Sequence, residues 1–142
     1  MVPTFSLRVP AEASHLNTVI EKVAAFLKAE DVAERHSHRI CLSLDEVLSN
    51  IIEHGAPQSL KRRDGFMEVV VAVHEDRIVT TVVDDGTSFN PLLMRDPDVS
   101  SGLDDRDIGG LGIHLIRKLS SAVRYERADG VNRLTFENAI GS

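Results

Sequence analysis

The fold is decided by one segment near the middle of the chain, which reads Leu44-Asp45-Glu46-Val47-Leu48-Ser49-Asn50-Ile51-Ile52-Glu53-His54-Gly55. Its apolar residues recur every three or four positions, which is the period of a helix with one buried face. Gly55 and Pro57 follow, and both residue types are common where helices end. The segment therefore predicts an amphipathic helix that ends near Gly55.

The same helix carries a line of polar residues spaced four apart, Glu46, Asn50 and His54. Helical geometry at about 100° per residue predicts that this line lies opposite the apolar stripe. Asn is a mediocre helix former in mid-helix, but its carbonyl can bind Mg²⁺ without adding charge. A Glu one turn away can accept a proton from a water or a hydroxyl. The pattern alone leaves two interpretations open, a solvated helix face and a site that handles phosphate.

Toward the N-terminus, the pattern predicts a short strand over Thr4–Val9 and a helix from Leu16 to about Ala29. Asp31 followed three residues later by Glu34 resembles a capping box. We therefore expect Asp31 to open the second helix.

Toward the C-terminus, segments rich in Val and Thr predict two hairpins. The first joins Glu68–Val73 to Ile78–Val83, and the second joins Ala122–Arg127 to Val131–Glu137 through a turn that contains Asp129-Gly130. With a further helix over Ile113–Leu119, the order is β-α-α-β-β-loop-α-β-β. This order predicts an α+β fold with a mixed, mostly antiparallel sheet and helices on one face.

Asp84-Asp85-Gly86 stands where the first hairpin ends and a long polar loop begins. A carboxylate there can accept a hydrogen bond from the exocyclic amine of adenine, whereas guanine offers a carbonyl at the same place. Gly86 would let a base approach the backbone closely. Taken alone, these residues favour an ordinary turn after a strand, where Asp and Gly are common.

Gly109-Gly110-Leu111-Gly112 comes after that loop, directly before the helix over Ile113–Leu119. Three glycines before a helix free the backbone to bind an anion, and the helix N-terminus favours phosphate. The spacing is neither that of a Walker A loop nor that of a dinucleotide-binding fold. A flexible hinge with close helix packing is the alternative.

Length and composition exclude several classes of protein. The 142 residues are one domain's length, and the net charge of −6 disfavours direct nucleic-acid binding. A single cysteine, Cys41, excludes an intrachain disulfide and fits a reducing compartment. The chain holds no apolar run of the roughly 20 residues that a membrane span needs. We therefore expect a single cytoplasmic domain over residues 1–142.

In their order along the chain, these motifs resemble those of the GHKL ATPase superfamily, and most closely those of the anti-sigma-factor serine/threonine kinases. Leu44–Gly55 is similar to the N box of that family, Val83–Pro91 to its first glycine box and Gly109–Ile116 to its second. Thr87-Ser88 stands where many members carry a second glycine, and Asn90 replaces the usual Asp of Phe-Asp-Pro. The resemblance implies a Bergerat-type, two-layer α/β sandwich that binds ATP.

The resemblance also implies roles for single residues. Glu46 matches the general base, Asn50 the Mg²⁺ ligand, and Asp84 with Gly86 the adenine-binding pair. Residues that would line the triphosphate are Gly109, Gly110, Leu111 and Gly112, and the segment Leu92–Ile108 would form a lid.

The implied function is that of a kinase that moves the γ-phosphate of Mg-ATP to a Ser or Thr of a small anti-sigma-factor antagonist. In this switch, the antagonist would free a sigma factor only while it is unphosphorylated. The kinase itself could be a homodimer. The alternative is a nucleotide-gated binding protein without phosphotransfer. Glu46 favours the kinase, because a binder has little use for a base beside the γ-phosphate.

Overall fold

A computed structural model describes residues 2–54, 65–86 and 115–140. The elements in chain order are β1 (Thr4–Pro10), a short 3₁₀ turn (Ala13–His15), α1 (Leu16–Ala29), α2 (Glu34–His54), β2 (Phe66–Val73), β3 (Arg77–Asp84), β4 (Ala122–Ala128) and β5 (Val131–Ala139). Residues 115–119 are helical and precede β4. The predicted order of elements is confirmed within these ranges.

The five strands form one sheet in the order β1-β2-β3-β5-β4. All four described pairings are antiparallel, so the predicted mostly antiparallel sheet is confirmed. The turn between β4 and β5 places Asp129 at φ 53° and Gly130 at φ 80°. Two consecutive positive φ values are typical of a type I′ turn, which is why Asp-Gly marks this hairpin in the sequence.

The core lies between the two helices and one face of the sheet. Alternate residues of β2, β3 and β5 point into it, as the period of two along a strand requires. The fully buried side chains come from both helices and from the central strands; the largest are Phe136, Leu27, Ile40, Leu44, Leu48, Met67 and Ile78. At the β1 edge, the Phe5 and Phe26 ring centroids lie 5.6 Å apart and join the sheet to α1.

The start of α2 differs from the prediction. Asp31 has φ 60°, and its N–H donates to the carbonyl of Lys28, while Val32 N–H donates to the carbonyl of Leu27. Asp31 is therefore the left-handed residue that ends α1. The helix α2 begins three residues later, at Glu34, so the predicted capping box is wrong.

Several predicted features fall outside the described residues. These are the lid Leu92–Ile108, the glycine run Gly109–Gly112, and the departures at Thr87-Ser88 and Asn90. In the part of the chain that the structure describes, no helix is long and apolar enough to cross a membrane.

Candidate functional site

One end of the sheet carries a row of four side chains, three of them polar, on the face that packs against the helices. The strand register aligns Met67, Asp84, Asn132 and Arg127 across β2, β3, β5 and β4. Asp84 is 6% exposed and Asn132 is 5% exposed, so this part of the row continues the core, whereas Arg127 at its end is exposed. A buried carboxylate at a strand end needs hydrogen-bond donors, and the row supplies them.

Asp84 accepts two hydrogen bonds at the same oxygen. The Gly86 N–H donates to its Oδ1 over 2.9 Å, and Nδ2 of Asn132 donates to it over 3.1 Å. The first bond closes a tight turn directly after β3. The second crosses from the neighbouring strand and ties the carboxylate to the sheet.

Asn132 is held in turn by two residues of β4. Its Oδ1 accepts a hydrogen bond from the Tyr125 hydroxyl and another, of 3.1 Å, from NH1 of Arg127. The same guanidinium nitrogen donates to the carbonyl of Gly86 over 2.8 Å. Gly86 is thus bound through both its N–H and its carbonyl, and these bonds fix the backbone beside Asp84.

The surroundings of Asp84 act on its charge in opposite directions. Burial raises the pKa of the Asp84 carboxyl above its ordinary value, and the nearby charge of Asp85 acts the same way. The bonds from Asn132 and Gly86 and the charge of Arg127 oppose that rise. The site therefore combines a dry environment with donors that favour the carboxylate, which suits a hydrogen-bond acceptor for a ligand amine.

Asp85, the second acid of the triplet, has a different place. Its Oδ1 accepts a hydrogen bond of 2.9 Å from the N–H of Phe66, the first residue of β2. This bond joins the start of β2 to the end of β3. Asp85 thus contributes to the backbone structure of the hairpin.

Glu46 and Asn50 of the polar line lie at the edge of the buried face of α2, and the prediction that the line lies opposite that face is wrong for Asn50. Asn50 is 6% exposed, and Ser43, two turns earlier on the same side, is fully buried. Glu46 lies between them and is partly buried. The buried face is wider than the apolar stripe because it includes these polar positions. His54 is the last residue of α2.

Within the described part of the chain, neither the side-chain nitrogen of Asn50 nor the carboxylate of Glu46 has a hydrogen-bond partner. The Nδ2 atom of Asn50 is buried without a hydrogen-bond acceptor. Burial raises the pKa of Glu46, and the negative charges of Asp45 and Glu53 raise it further. A carboxylate with a raised pKa takes up a proton more readily near neutral pH, which suits a general base.

The helix and the sheet end belong to facing elements, since α2 packs against β3. A sequence model of the histidine kinase-like ATPase domain matches residues 9–137, a range that includes both. The chain belongs to this ATPase family. The resemblance to GHKL proteins is therefore confirmed.

Two curated relatives of this histidine kinase-like ATPase domain are named as protein kinases. The serine/threonine-protein kinase BtrW of Bordetella bronchiseptica is 31% identical over 100 residues, which are 68% of this chain and 66% of BtrW. The serine-protein kinase RsbW of Bacillus mycoides is 22% identical over 132 residues, which are 90% of this chain and 80% of RsbW.

Solved structures show the same fold as this ATPase domain. The catalytic domain of the histidine kinase ThkA superposes with a TM-score of 0.53 at 15% identity, over 95% of this chain and 97% of that domain. The histidine kinase domain of a blue-light activated kinase from Erythrobacter litoralis gives 0.51 at 17% identity, over 87% of this chain and 60% of that one. These likenesses confirm the two-layer Bergerat-type architecture.

The described residues of this ATPase domain offer few side chains that could together bind a metal ion. No group of three or more His, Cys, Asp or Glu side chains comes together in residues 2–54, 65–86 and 115–140. Mg²⁺ is commonly held by one or two protein oxygens together with phosphates and waters. The Asn50 carbonyl fits that kind of site, in which the nucleotide supplies most of the ligands.

Sequence reasoning missed the residues behind Asp84, namely Tyr125, Arg127 and Asn132. A signal for Asn132 is present in β5. Alternation places Asn132 on the same face as Leu134 and Phe136, and an Asn on an apolar strand face needs a buried partner. The partner itself could not be read from the sequence, because it lies 48 residues away.

Proposed function

We propose that this protein is an ATP-dependent serine/threonine protein kinase that phosphorylates a small anti-sigma-factor antagonist. The observation that carries the proposal is that two polar residues lie one helical turn apart on α2. Asn50 is buried, and the pKa of Glu46 is raised. The family match and the relatives named as kinases support it. In this proposal residues 1–142 act as a single catalytic domain.

Asp84 and Gly86 bind the adenine ring in this proposal. The Asp84 carboxylate accepts a hydrogen bond from the N6 amine, which guanine lacks at that position. Gly86 has no side chain to separate the base from the backbone. ATP is therefore favoured over GTP. The glycine run Gly109–Gly112 is proposed to bind the phosphates through backbone N–H groups.

Asn50 holds Mg²⁺ through its side-chain carbonyl in this proposal. The ion, when bound, neutralises charge on the phosphate oxygens. The unpartnered Nδ2 of Asn50 supports a ligand at this position, because a buried donor without an acceptor costs about 1–3 kcal/mol. A phosphate oxygen is an acceptor that would satisfy it.

Glu46 acts as the general base. A Ser or Thr hydroxyl of the antagonist attacks the γ-phosphorus as its proton passes to the Glu46 carboxylate. The new O–P bond forms while the bond to the β-phosphate oxygen breaks, and ADP leaves with that electron pair. The raised pKa of Glu46 brings the base closer to neutral pH, where proton transfer is effective.

The test uses the full chain, radiolabelled Mg-ATP and an antagonist protein identified by pull-down, scored for phosphoserine or phosphothreonine. The wild type should transfer label, and Asn50→Ala should lose both Mg-ATP binding and transfer. An exposed helix variant, Asn17→Ala on α1, is the matched control and should retain both. If the wild type binds ATP but labels no partner, the nucleotide-gated binder becomes the better description.

A further inference from the structure

The orientation of the Asn132 amide is determined by its neighbours on β4. An asparagine has one acceptor end and one donor end, and the partners decide which end faces where. Arg127 can only donate, and its NH1 lies 3.1 Å from Oδ1 of Asn132. The Tyr125 hydroxyl donates to the same oxygen. The donor end, Nδ2, is therefore the end that faces Asp84.

This orientation has a consequence for the carboxylate. Oδ1 of Asp84 accepts from Nδ2 of Asn132 and from the N–H of Gly86, and these two bonds use its two lone pairs. A third donor cannot be accommodated at that oxygen. The acceptor capacity left for a ligand amine is on Oδ2.

We propose that Asn132 is a positioning residue for nucleotide selection: held by Tyr125 and Arg127, it fixes the Asp84 carboxylate so that Oδ2 receives the amine of an adenine base. This inference rests on the proposed function and extends it to the residues that set base preference. Asn132 touches Asp84 and acts on the nucleotide only through it.

The charges around Asp84 allow a second measurement that does not depend on nucleotide. Arg127 on β4 favours the carboxylate and Asp85 opposes it, while Met67 on the β2 side is neutral. The bond from Asn132 also favours the charged form. Loss of that bond should raise the pKa of Asp84, because burial continues to oppose the charge.

The strand β5 offers a matched control. Asn138 lies on the same face of β5, is 3% exposed against 5% for Asn132, and its Nδ2 donates to the carbonyl of Leu119 over 2.9 Å. Asn132→Leu and Asn138→Leu each replace a buried asparagine by an apolar side chain of similar shape. Asn132→Leu removes the bond to Asp84 and the bonds accepted from Tyr125 and Arg127, whereas Asn138→Leu removes the bond to Leu119 and leaves the bonds of Asp84 intact.

Binding of Mg-ATP and Mg-GTP is measured by isothermal titration, and the titration of Asp84 by NMR of ¹³C-labelled carboxyl groups. Asn132→Leu should bind ATP about tenfold more weakly, which is the effect of losing one hydrogen bond to a charged group. It should also lose the preference for ATP over GTP. Its Asp84 pKa should rise. Asn138→Leu should match the wild type in base preference and in the Asp84 titration.

Tyr125→Phe covers the case in which Asn132→Leu does not fold, because it keeps the ring and removes only the hydroxyl that orients Asn132. It should change base preference and the Asp84 titration in the same direction, by a smaller amount. The inference is overturned if the foldable variants bind and titrate like the wild type. A wild type that binds no ATP overturns the proposed function instead, and the Asp84 titration still decides whether Asn132 holds the carboxylate.

Discussion

The site contains two carboxylates in different regions, Glu46 on α2 and Asp84 at the end of β3. Burial raises the pKa of each of them. Their surroundings are otherwise opposite. Asp84 accepts hydrogen bonds from Gly86 and Asn132, whereas no hydrogen bond or ion pair joins Glu46 to a residue that the structure describes. Glu46 instead has the acids Asp45 and Glu53 beside it.

These two residues show how the same functional group, a carboxylate, can serve two purposes. Donors hold a carboxylate charged and in one orientation, which makes it a selective hydrogen-bond acceptor. Like charges and burial without donors favour uptake of a proton, which makes it a base. We therefore expect changes at the helix to affect transfer, and changes at the strand end to affect base recognition.

The largest effect is expected at Glu46. Glu46→Gln keeps the shape but cannot take a proton, so ATP binding should persist while phosphotransfer falls by roughly 10²–10⁴-fold. Transfer is measured under single-turnover conditions with labelled ATP. Glu21→Gln, the same change at an exposed position of α1, should leave the rate unchanged. An unchanged rate in Glu46→Gln would remove Glu46 from the role of base.

The next effect is at Asp84. Asp84→Asn should weaken ATP binding by about 1–3 kcal/mol and reduce or reverse the preference over GTP, since an amide can donate to the guanine carbonyl. Titration calorimetry with both nucleotides measures this. Asp85→Asn is the control, because its amide oxygen can still accept from the Phe66 N–H, and it should keep the preference. Equal loss in both variants would place the effect in the hairpin backbone.

A change of pH is expected to have a smaller effect on ATP affinity, through the titration of Asp84. Its pKa is raised above the ordinary 3.8, and the charged form is the better acceptor. ATP affinity should therefore fall as the pH is lowered through the raised pKa of Asp84. The affinity of Asp84→Asn should lack this component. Calorimetric titrations from about pH 8 to about pH 5 compare the two proteins in buffers matched for ionisation heat. Identical pH profiles would contradict the assignment.

The smallest effect is on folding stability and has the opposite sign. Because the folded-state pKa of Asp84 is raised, its stabilising contribution is fully present below the ordinary value and is lost as the pH rises through the raised one. Asp84→Asn should thus be as stable as the wild type or more so at neutral pH, by about 1 kcal/mol or less, and the difference should shrink on acidification. Urea unfolding at several pH values measures it. Marked destabilisation at neutral pH would show that the carboxylate is needed for folding.

Secondary structure was largely predictable because it depends on local periodicity. The helix α1 has its predicted bounds, and the β4–β5 hairpin turns at the predicted Asp129-Gly130. The prediction failed at Asp31. A polar residue between two helices can end the first or cap the second, and only the backbone angle of Asp31 distinguishes the two.

The candidate site was predictable in its residue types and less so in its surroundings. The spacing of Glu46 and Asn50 follows from the helical period, but the burial of Asn50 depends on how α2 lies on the sheet. The strand-end position of Asp84 is local, whereas its donor Asn132 comes from another strand through the register of β3 with β5. Local sequence contains no information on that register.

The sequence by itself determined the elements, the antiparallel hairpins and the order of the polar motifs, because each depends on residues close together in the chain. Tertiary structure alone decided which polar groups are buried and which donors meet which acceptors. The hydrogen-bonded series Tyr125–Asn132–Asp84 exists only because the registers of three neighbouring strands bring these side chains together. The electrostatic difference between Asp84 and Glu46 has the same origin, since burial and distant donors set the free energy of each charge.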